Sequence, residues 1–108
     1  MAMETLQNKD DLEKMLERSE GETVVLYKHS ATCPVSARAQ EQVVPLKHEM
    51  AVYSVVVQYA RDVSQAAAET LDVTHHTPQV IVIKDREAVK HYSHEGISTD
   101  VVREAATA

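Results

Sequence analysis

Three short runs of β-branched and apolar residues, separated by helical patterns, restrict the fold of this chain more than any other feature. The runs are TVVLYKH (23–29), VYSVVVQY (52–59) and QVIVIK (79–84). None of them alternates strictly between apolar and polar residues, which is typical of strands covered on both faces. Strands joined through helices predict parallel pairing with a right-handed crossover. We therefore expect a sheet with helices on both sides.

Four helical patterns accompany these strands. The first begins at Asn8, a good capping residue, and is expected to end near residues 19–21, where a glycine follows. The third is expected to be capped by Asp62, with Gln65 completing a capping box. The last is expected to open at Ser98. The second begins at the cysteine described below.

A fourth strand, AVKHYSH (88–94), follows the third after the short turn DRE, so these two strands are predicted to form an antiparallel hairpin. The order is then helix, βαβ, helix, ββ and helix. This order predicts an α/β thioredoxin-like fold, a βαβαββα core with an extra N-terminal helix and a mixed four-stranded sheet flanked by helices. We expect one thioredoxin-like domain over residues 1–108.

The net charge and the composition of the chain argue against some classes of binding partner. The formal net charge is −6, which argues against nucleic acid or an anionic membrane as the main partner. No apolar run approaches the roughly 18 residues that a membrane span requires. The N-terminus lacks the pattern of an export signal, and a single cysteine rules out an internal disulfide framework. A reducing cytoplasm is the expected location.

The single cysteine, Cys33, lies in TCPVS at the end of the first strand, where open α/β sheets place their sites. With Cys33 as the N-cap, Pro34 takes the first helical position, which suits proline. A thiolate there faces free N–H groups and the positive end of the helix dipole, so its pKa is expected below the usual value of about 8.5. Ser36 can point its hydroxyl back toward the sulfur. Further along, Pro45 predicts a break in this helix.

The residue Ser36 also decides the mechanism. It stands where a C-x-x-C enzyme carries its second cysteine, which attacks the mixed disulfide and releases the product. A serine hydroxyl is too weak an acid for that step. Any catalysis must therefore use one thiol, with an external small thiol completing the cycle. The alternative from the residues alone is an inert structural cysteine.

The sequence HHTPQ (75–79) is the second candidate element. In a thioredoxin-like fold, the loop before the third core strand packs against the cysteine. A cis Pro78 there would expose the backbone of Thr77 to an extended substrate. The six histidines show no closed set of metal ligands, so no metal site is expected.

The segments KHSATCPVSARA, HHTPQVIVIKD and SHEGIS resemble the monothiol bacilliredoxins of the general-stress type, thioredoxin-like proteins with a T-C-P-[IV]-S site. The resemblance covers nearly the whole chain. It implies an oxidoreductase that removes bacillithiol from proteins S-thiolated during oxidative stress. Its partners would be S-bacillithiolated client proteins and bacillithiol as co-substrate, with no tightly bound cofactor, nucleic acid or membrane.

The same resemblance assigns roles to individual residues. Cys33 would be the nucleophile, and the positions that match the rest of the site are Thr32, Pro34, Ser36, Thr77 and Pro78. His94 also matches, without a physical role that the sequence supplies. The chain departs from the family in DRE, which lacks the glycine common in that turn, and at His76, where an acidic residue is common.

Two other interpretations remain open at this point. One is a glutathione-linked monothiol glutaredoxin carrying an iron–sulfur cluster, but that family has C-G-F-S where this chain has Pro34 and Val35. The other is a non-enzymatic thioredoxin-like module that binds a peptide or protein in its groove. The module would have a thiol pKa near normal, whereas catalysis predicts a lowered one.

Overall fold

The computed structural model describes residues 3–32 and 34–108, which form a mixed sheet with helices on both faces. In chain order the elements are β1 (Glu4–Thr5), α1 (Lys9–Arg18), β2 (Val24–His29), α2 (Pro34–Val43), a 3₁₀ segment (Val44–His48), β3 (Ala51–Val56), α3 (Arg61–Leu71), β4 (Gln79–Lys84), β5 (Glu87–Ser93), a short 3₁₀ segment (His94–Gly96) and α4 (Thr99–Thr107).

The sheet order is β1-β3-β2-β4-β5. Strands β1, β3 and β2 run parallel, β4 is antiparallel to β2, and β5 is antiparallel to β4. The parallel pair and the final hairpin confirm the prediction. The antiparallel register places Lys28 of β2 opposite Gln79 of β4, so the end of β2 lies beside the start of β4.

Alternate residues of each central strand pack into two separate cores. On one face, Leu26 and Ile81 pack with α1 and α3. On the other face, Tyr27 and Val80 pack with α2 and α4. Both faces of the sheet are therefore buried, which explains why the strand sequences are apolar without alternation.

The helix boundaries largely follow the predicted signals. The Asn8 side chain accepts the N–H of Asp11 at 2.8 Å, and the Ser98 side chain accepts that of Val101 at 3.2 Å. Helix α2 ends at Val43, and the chain continues as a 3₁₀ segment through Pro45. The predicted break at this proline is thus confirmed.

Three details differ from the sequence prediction. The two-residue edge strand β1 makes the sheet five-stranded, and a run this short carries no periodicity. Strand β3 ends at Val56 because the N–H groups of Tyr59 and Ala60 both donate to the Val56 carbonyl and close a turn. Asp62 is not the cap of α3: Ala60 occupies that position without a side-chain bond, so no capping box forms.

The β4–β5 turn is made without glycine. Asp85 and Arg86 both have positive φ, 50° and 65°. A type I′ two-residue hairpin turn requires positive φ at both of its central residues. Helix α1 and its C-cap support the turn: the Asp85 N–H donates to the Ser19 carbonyl at 2.8 Å and the Arg86 N–H to Ser19 Oγ at 2.9 Å. The Arg86 guanidinium also pairs with Glu13 and Glu20.

Candidate active site

The site loop connects β2 to α2 through Ser30, Ala31 and Thr32. Helix α2 begins at Pro34, as predicted from the sequence. Cys33, which comes between them in the chain, lies outside the described residues. Its predicted capping position, its contact with Ser36 and its lowered thiol pKa therefore stay predictions.

Ser36 connects the first turn of α2 to the site loop and to the sheet through hydrogen bonds. The residue is fully buried. Its Oγ accepts the N–H of Ser30 at 3.2 Å, and its carbonyl accepts the hydroxyl of Tyr27 at 2.7 Å. These bonds leave the Ser36 hydroxyl hydrogen available as a donor within the described part of the chain.

A tyrosine–histidine pair lies on the α2 side of the sheet. The Tyr27 hydroxyl is 2.8 Å from Nδ1 of His29. Because the hydroxyl hydrogen is donated to Ser36, the His29 ring must donate from Nδ1 in this bond. Burial lowers the pKa of His29. The ring is therefore neutral at pH 7 and does not supply a positive charge to the site.

A glutamine in the β3–α3 turn holds the site loop from the other side. Gln58 Oε1 accepts the N–H of Ala31 at 3.1 Å, and its Nε2 donates to Ser30 Oγ at 2.7 Å and more weakly to Thr32 Oγ1 at 3.4 Å. One side chain thus contacts all three loop residues. It couples the loop before Cys33 to the start of α3.

The Thr77–Pro78 peptide bond is cis, as expected from the sequence. Pro78 is buried, and its carbonyl accepts the N–H of His94 at 3.0 Å. His94 has a φ of 54°, and its ring meets the ring of His76 edge-on at 5.7 Å. The structure thus gives His94 a role: its backbone joins the end of β5 to the cis-proline loop.

Lys28 forms a buried polar chain that reaches the same loop from beneath. Its side chain is fully buried, and Nζ donates to the Ser64 carbonyl and to Nδ1 of His75, both at 3.2 Å. Since Nδ1 accepts, Nε2 carries the ring proton and donates to Thr77 Oγ1 at 3.2 Å. The chain links the sheet core to the residue before the cis proline.

The pKa values along this chain are shifted by burial. Burial lowers the pKa of Lys28 to about 8. His75 is exposed overall but its Nδ1 edge lies against Lys28; desolvation, followed by the charges of Lys28 and His76, lowers its pKa. At neutral pH the lysine is mostly charged and the histidine neutral, in agreement with the hydrogen-bond directions.

Two cavities flank the site. The first, called the α3 cavity below, has a volume of about 540 Å³ and is lined chiefly by Gln58, Arg61, Ser64, Gln65, Glu69 and His75. The second, the α2 cavity, has a volume of about 260 Å³ and is lined chiefly by Val35, Arg38, Gln42, His94, Glu95 and Ile97. Gln58 and His75 connect the α3 cavity to both the site loop and the cis-proline loop.

The described residues show neither a metal-binding group nor a membrane span. Over residues 3–32 and 34–108, no three histidine, aspartate or glutamate side chains come close enough to hold a metal ion. No helix in that part of the chain combines the length and the apolar character needed to cross a bilayer.

Comparison with known proteins identifies the family. A family model described as monothiol bacilliredoxin BrxC matches residues 4–102, nearly the whole chain. The chain belongs to the monothiol bacilliredoxin family. This match confirms the resemblance drawn from TCPVS and the two downstream segments.

Solved structures that are similar to the bacilliredoxin have the thioredoxin fold. One, described as a candidate oxidoreductase with a thioredoxin fold, has a TM-score of 0.87 and 30% identity, covering 95% of this chain and 92% of its own. Fasciola hepatica thioredoxin has a TM-score of 0.76 and 25% identity, with 97% of each chain covered. Thioredoxin f from spinach chloroplast, at 16% identity, has a TM-score of 0.75 over 97% of this chain and 90% of its own. The bacilliredoxin is a thioredoxin-like thiol–disulfide oxidoreductase.

The residues beside the cysteine were predictable from the sequence, whereas the side chains that hold them were not assigned to the site. Thr32, Pro34, Ser36, Thr77 and Pro78 all lie at the end of the sheet where β2 ends and β4 begins. The supporting residues Gln58 and His75 carried no decisive signal, because each lies in a polar turn or loop. Lys28 did carry a signal in the sequence, because a lysine inside a buried strand needs polar partners in the fold.

Proposed function

We propose that this protein removes bacillithiol from S-bacillithiolated client proteins by monothiol exchange at Cys33. The observation that carries the proposal is the single cysteine of the chain, which directly precedes the start of α2, with Ser36 where a resolving thiol would stand. Membership of the monothiol bacilliredoxin family supports the choice of thiol.

The first step transfers bacillithiol from the client to the enzyme. The Cys33 thiolate attacks the bacillithiol sulfur of the mixed disulfide. A new disulfide forms between Cys33 and bacillithiol, the old disulfide breaks, and the client cysteine leaves as a thiolate that takes up a proton. Thr77, before the cis Pro78, would offer its backbone to the extended client.

The second step regenerates the enzyme. A second bacillithiol, as its thiolate, attacks the bacillithiol sulfur bound to Cys33. The products are the Cys33 thiolate and oxidised bacillithiol, so the disulfide bond has passed from the client to a pair of bacillithiol molecules and one free bacillithiol is consumed per client. No tightly bound cofactor is required, because bacillithiol is the co-substrate.

Intact-mass analysis of the protein mixed with a bacillithiolated client tests the proposal. We expect the client to lose one bacillithiol and the protein to gain one, with Cys33→Ser unreactive. Added bacillithiol should then remove the adduct. If a folded protein with an accessible Cys33 accepts no adduct, the proposed activity is wrong and a protein-binding module becomes the better interpretation. Transfer from a glutathionylated client alone would instead assign glutathione as the thiol.

A further inference from the structure

We propose that the α3 cavity binds the carboxylate-bearing part of the small thiol, with the Arg61 guanidinium as the positive group that contacts the carboxylates. The inference rests on the proposed function, because it names how the same site would recognise the malate carboxylates of bacillithiol. A carboxylate-bearing thiol such as glutathione shares this chemistry.

The position of the cavity favours the small thiol as its occupant. Gln58 in its wall bonds to Ala31 and Thr32, directly before the reactive cysteine in the chain. His75 in its wall bonds to Thr77, before the cis proline. The cavity wall is therefore bonded to both loops of the candidate site, the one that precedes Cys33 in the chain and the one that precedes the cis proline.

The dimensions of the cavity suit one small molecule. A volume of about 540 Å³ lies within the range of roughly 300–1,000 Å³ typical of small-molecule sites. Arg61 and Glu69 of its wall are eight residues apart on α3, which corresponds to about 12 Å along the helix axis. Val57 and Ala68 add apolar wall to the polar side chains.

The charge of the cavity favours an anion near the site loop. The Arg61 side chain is exposed and makes no hydrogen bond or ion pair within residues 3–32 and 34–108. Behind Ser64 and His75 lies the buried ammonium of Lys28, whose described partners are both uncharged. The opposing carboxylate, Glu69, lies two turns along α3 from Arg61 and accepts a bond from Gln65 at 3.3 Å.

The α2 cavity offers a matched alternative that the charges do not favour. It has about half the volume, and its arginine, Arg38, shares the wall with Glu41 and Glu95. Arg38 is also exposed and makes no ion pair in the described part of the chain. Arg38→Ala therefore removes the same charge on the other side of the site.

A rate comparison on one client protein tests the proposal. The client is prepared as its mixed disulfide with bacillithiol, with glutathione or with mercaptoethanol, which is uncharged, and transfer to Cys33 is followed by intact mass. Arg61→Ala should slow transfer from the bacillithiol and glutathione adducts about tenfold, equivalent to about 1.4 kcal/mol. The mercaptoethanol adduct should react within about twofold of the wild-type rate, as should all three adducts with Arg38→Ala.

The outcomes separate this inference from the proposed function. If wild-type protein does not accept bacillithiol at all, the proposed function fails. If wild-type protein accepts it and Arg61→Ala slows all three adducts equally, the arginine contacts the client and the inference is overturned. An equal loss with Arg38→Ala would overturn it too, since general electrostatic attraction would then explain the rates.

A binding measurement tests the role of Arg61 without the thiol–disulfide exchange reaction. Reduced bacillithiol is titrated into Cys33→Ser and followed by amide chemical shifts. We expect shifts at Gln58, Ser64, Gln65 and His75, and their loss when Arg61→Ala is added to the same protein. Shifts confined to the walls of the α2 cavity would contradict the proposal.

Discussion

At the scale of single residues, Lys28 lowers the stability of the fold, because its charged side chain is fully buried. An ammonium group out of water needs charge compensation, yet its described partners are a carbonyl and a neutral imidazole. The burial that lowers its pKa to about 8 must also lower the stability of the fold at neutral pH. A lysine kept at such a cost holds the Thr77 loop through His75.

Replacing this lysine should stabilise the protein at neutral pH. The folded chain gives up the Lys28 proton near pH 8, whereas the unfolded chain keeps it to about 10.5. Between about pH 8 and pH 10.5 the unfolded state therefore binds more protons than the folded state. The free energy of unfolding of the wild type rises with pH over this range because of Lys28. Lys28→Met should be more stable at pH 7 by up to about 3 kcal/mol, from about 1.4 kcal/mol per pKa unit. The difference should shrink toward pH 10.

Urea unfolding of both proteins at pH 7, 8.5 and 10 measures this difference. Because both proteins share every other titrating group, those contributions largely cancel in the comparison. A difference that does not change across this range, or a variant less stable than wild type at pH 7, would contradict the assignment of a buried charge.

The thiol of Cys33 is the second residue-scale prediction. A cysteine that caps α2 should have a pKa below about 8.5, because free N–H groups and the helix dipole favour the thiolate. Thiolate absorbance followed against pH, with Cys33→Ser as the blank, measures the midpoint. A midpoint at or above the ordinary value would remove the electrostatic argument for catalysis and favour a structural cysteine.

At the scale of elements, the β4–β5 hairpin depends on α1 and its C-cap. The turn residues Asp85 and Arg86 carry side chains at positive φ, where glycine or asparagine is preferred. Their N–H groups donate to the carbonyl and Oγ of Ser19, which is itself buried. The helix therefore supplies the bonds that hold an otherwise unfavourable turn.

Removing one of these bonds should destabilise the fold. Ser19→Ala leaves the partly buried Arg86 N–H without its acceptor, which costs about 1–3 kcal/mol. Ser93→Ala, at a serine whose side chain makes no hydrogen bond in the described residues, should change the stability by about 0.5 kcal/mol or less. Equal losses in thermal or urea unfolding for the two variants would show that the Ser19 bond contributes little.

The elements themselves were largely predictable from the sequence, and the reason is local. Asn8, Pro45 and Ser98 act through short-range geometry, so a residue pattern is enough to find them. Strand β1 could not be predicted, because its pairing with Tyr53 and Ser54 is decided by residues far along the chain. Asp62 was misassigned for a different reason: the turn closed at the Val56 carbonyl makes Ala60 the residue before α3, so the helix begins ahead of Asp62.

At the scale of the whole molecule, two histidines on opposite faces of the sheet make the fold sensitive to acid. Burial lowers the pKa of both His29 and His75. As pH falls below about 6.5, these two histidines take up protons in the unfolded chain before they do so in the folded chain. The free energy of unfolding therefore decreases with falling pH. His75→Gln should show a smaller loss between pH 7 and pH 5 than wild type.

Thermal unfolding across this pH range checks the histidine prediction. His48, which is exposed and bonds to no described side chain, supplies the control His48→Gln. A variant at His75 that loses as much stability as wild type would show that acid sensitivity arises elsewhere.

The site as a whole was only half predictable. The residues beside the cysteine follow one another in the chain, so TCPVS and HHTPQ reveal them. Gln58 and Lys28 act on these loops from distant parts of the chain, and only the fold brings Lys28 against His75 and Gln58 against Ala31. The cavity beside α3 has the same origin, since Arg61 and His75 belong to separate elements.

The support of the β4–β5 turn has a consequence for folding. Arg86 and Ser19 are 67 positions apart, so the hairpin can reach its final geometry only after the two ends of the chain have met. The N-terminal helix, which looks like an addition to the βαβαββα core, is in this respect part of one cooperative unit. A chain shortened to begin at β2 would lose the partner of its last hairpin, and its unfolding should become broader as well as easier.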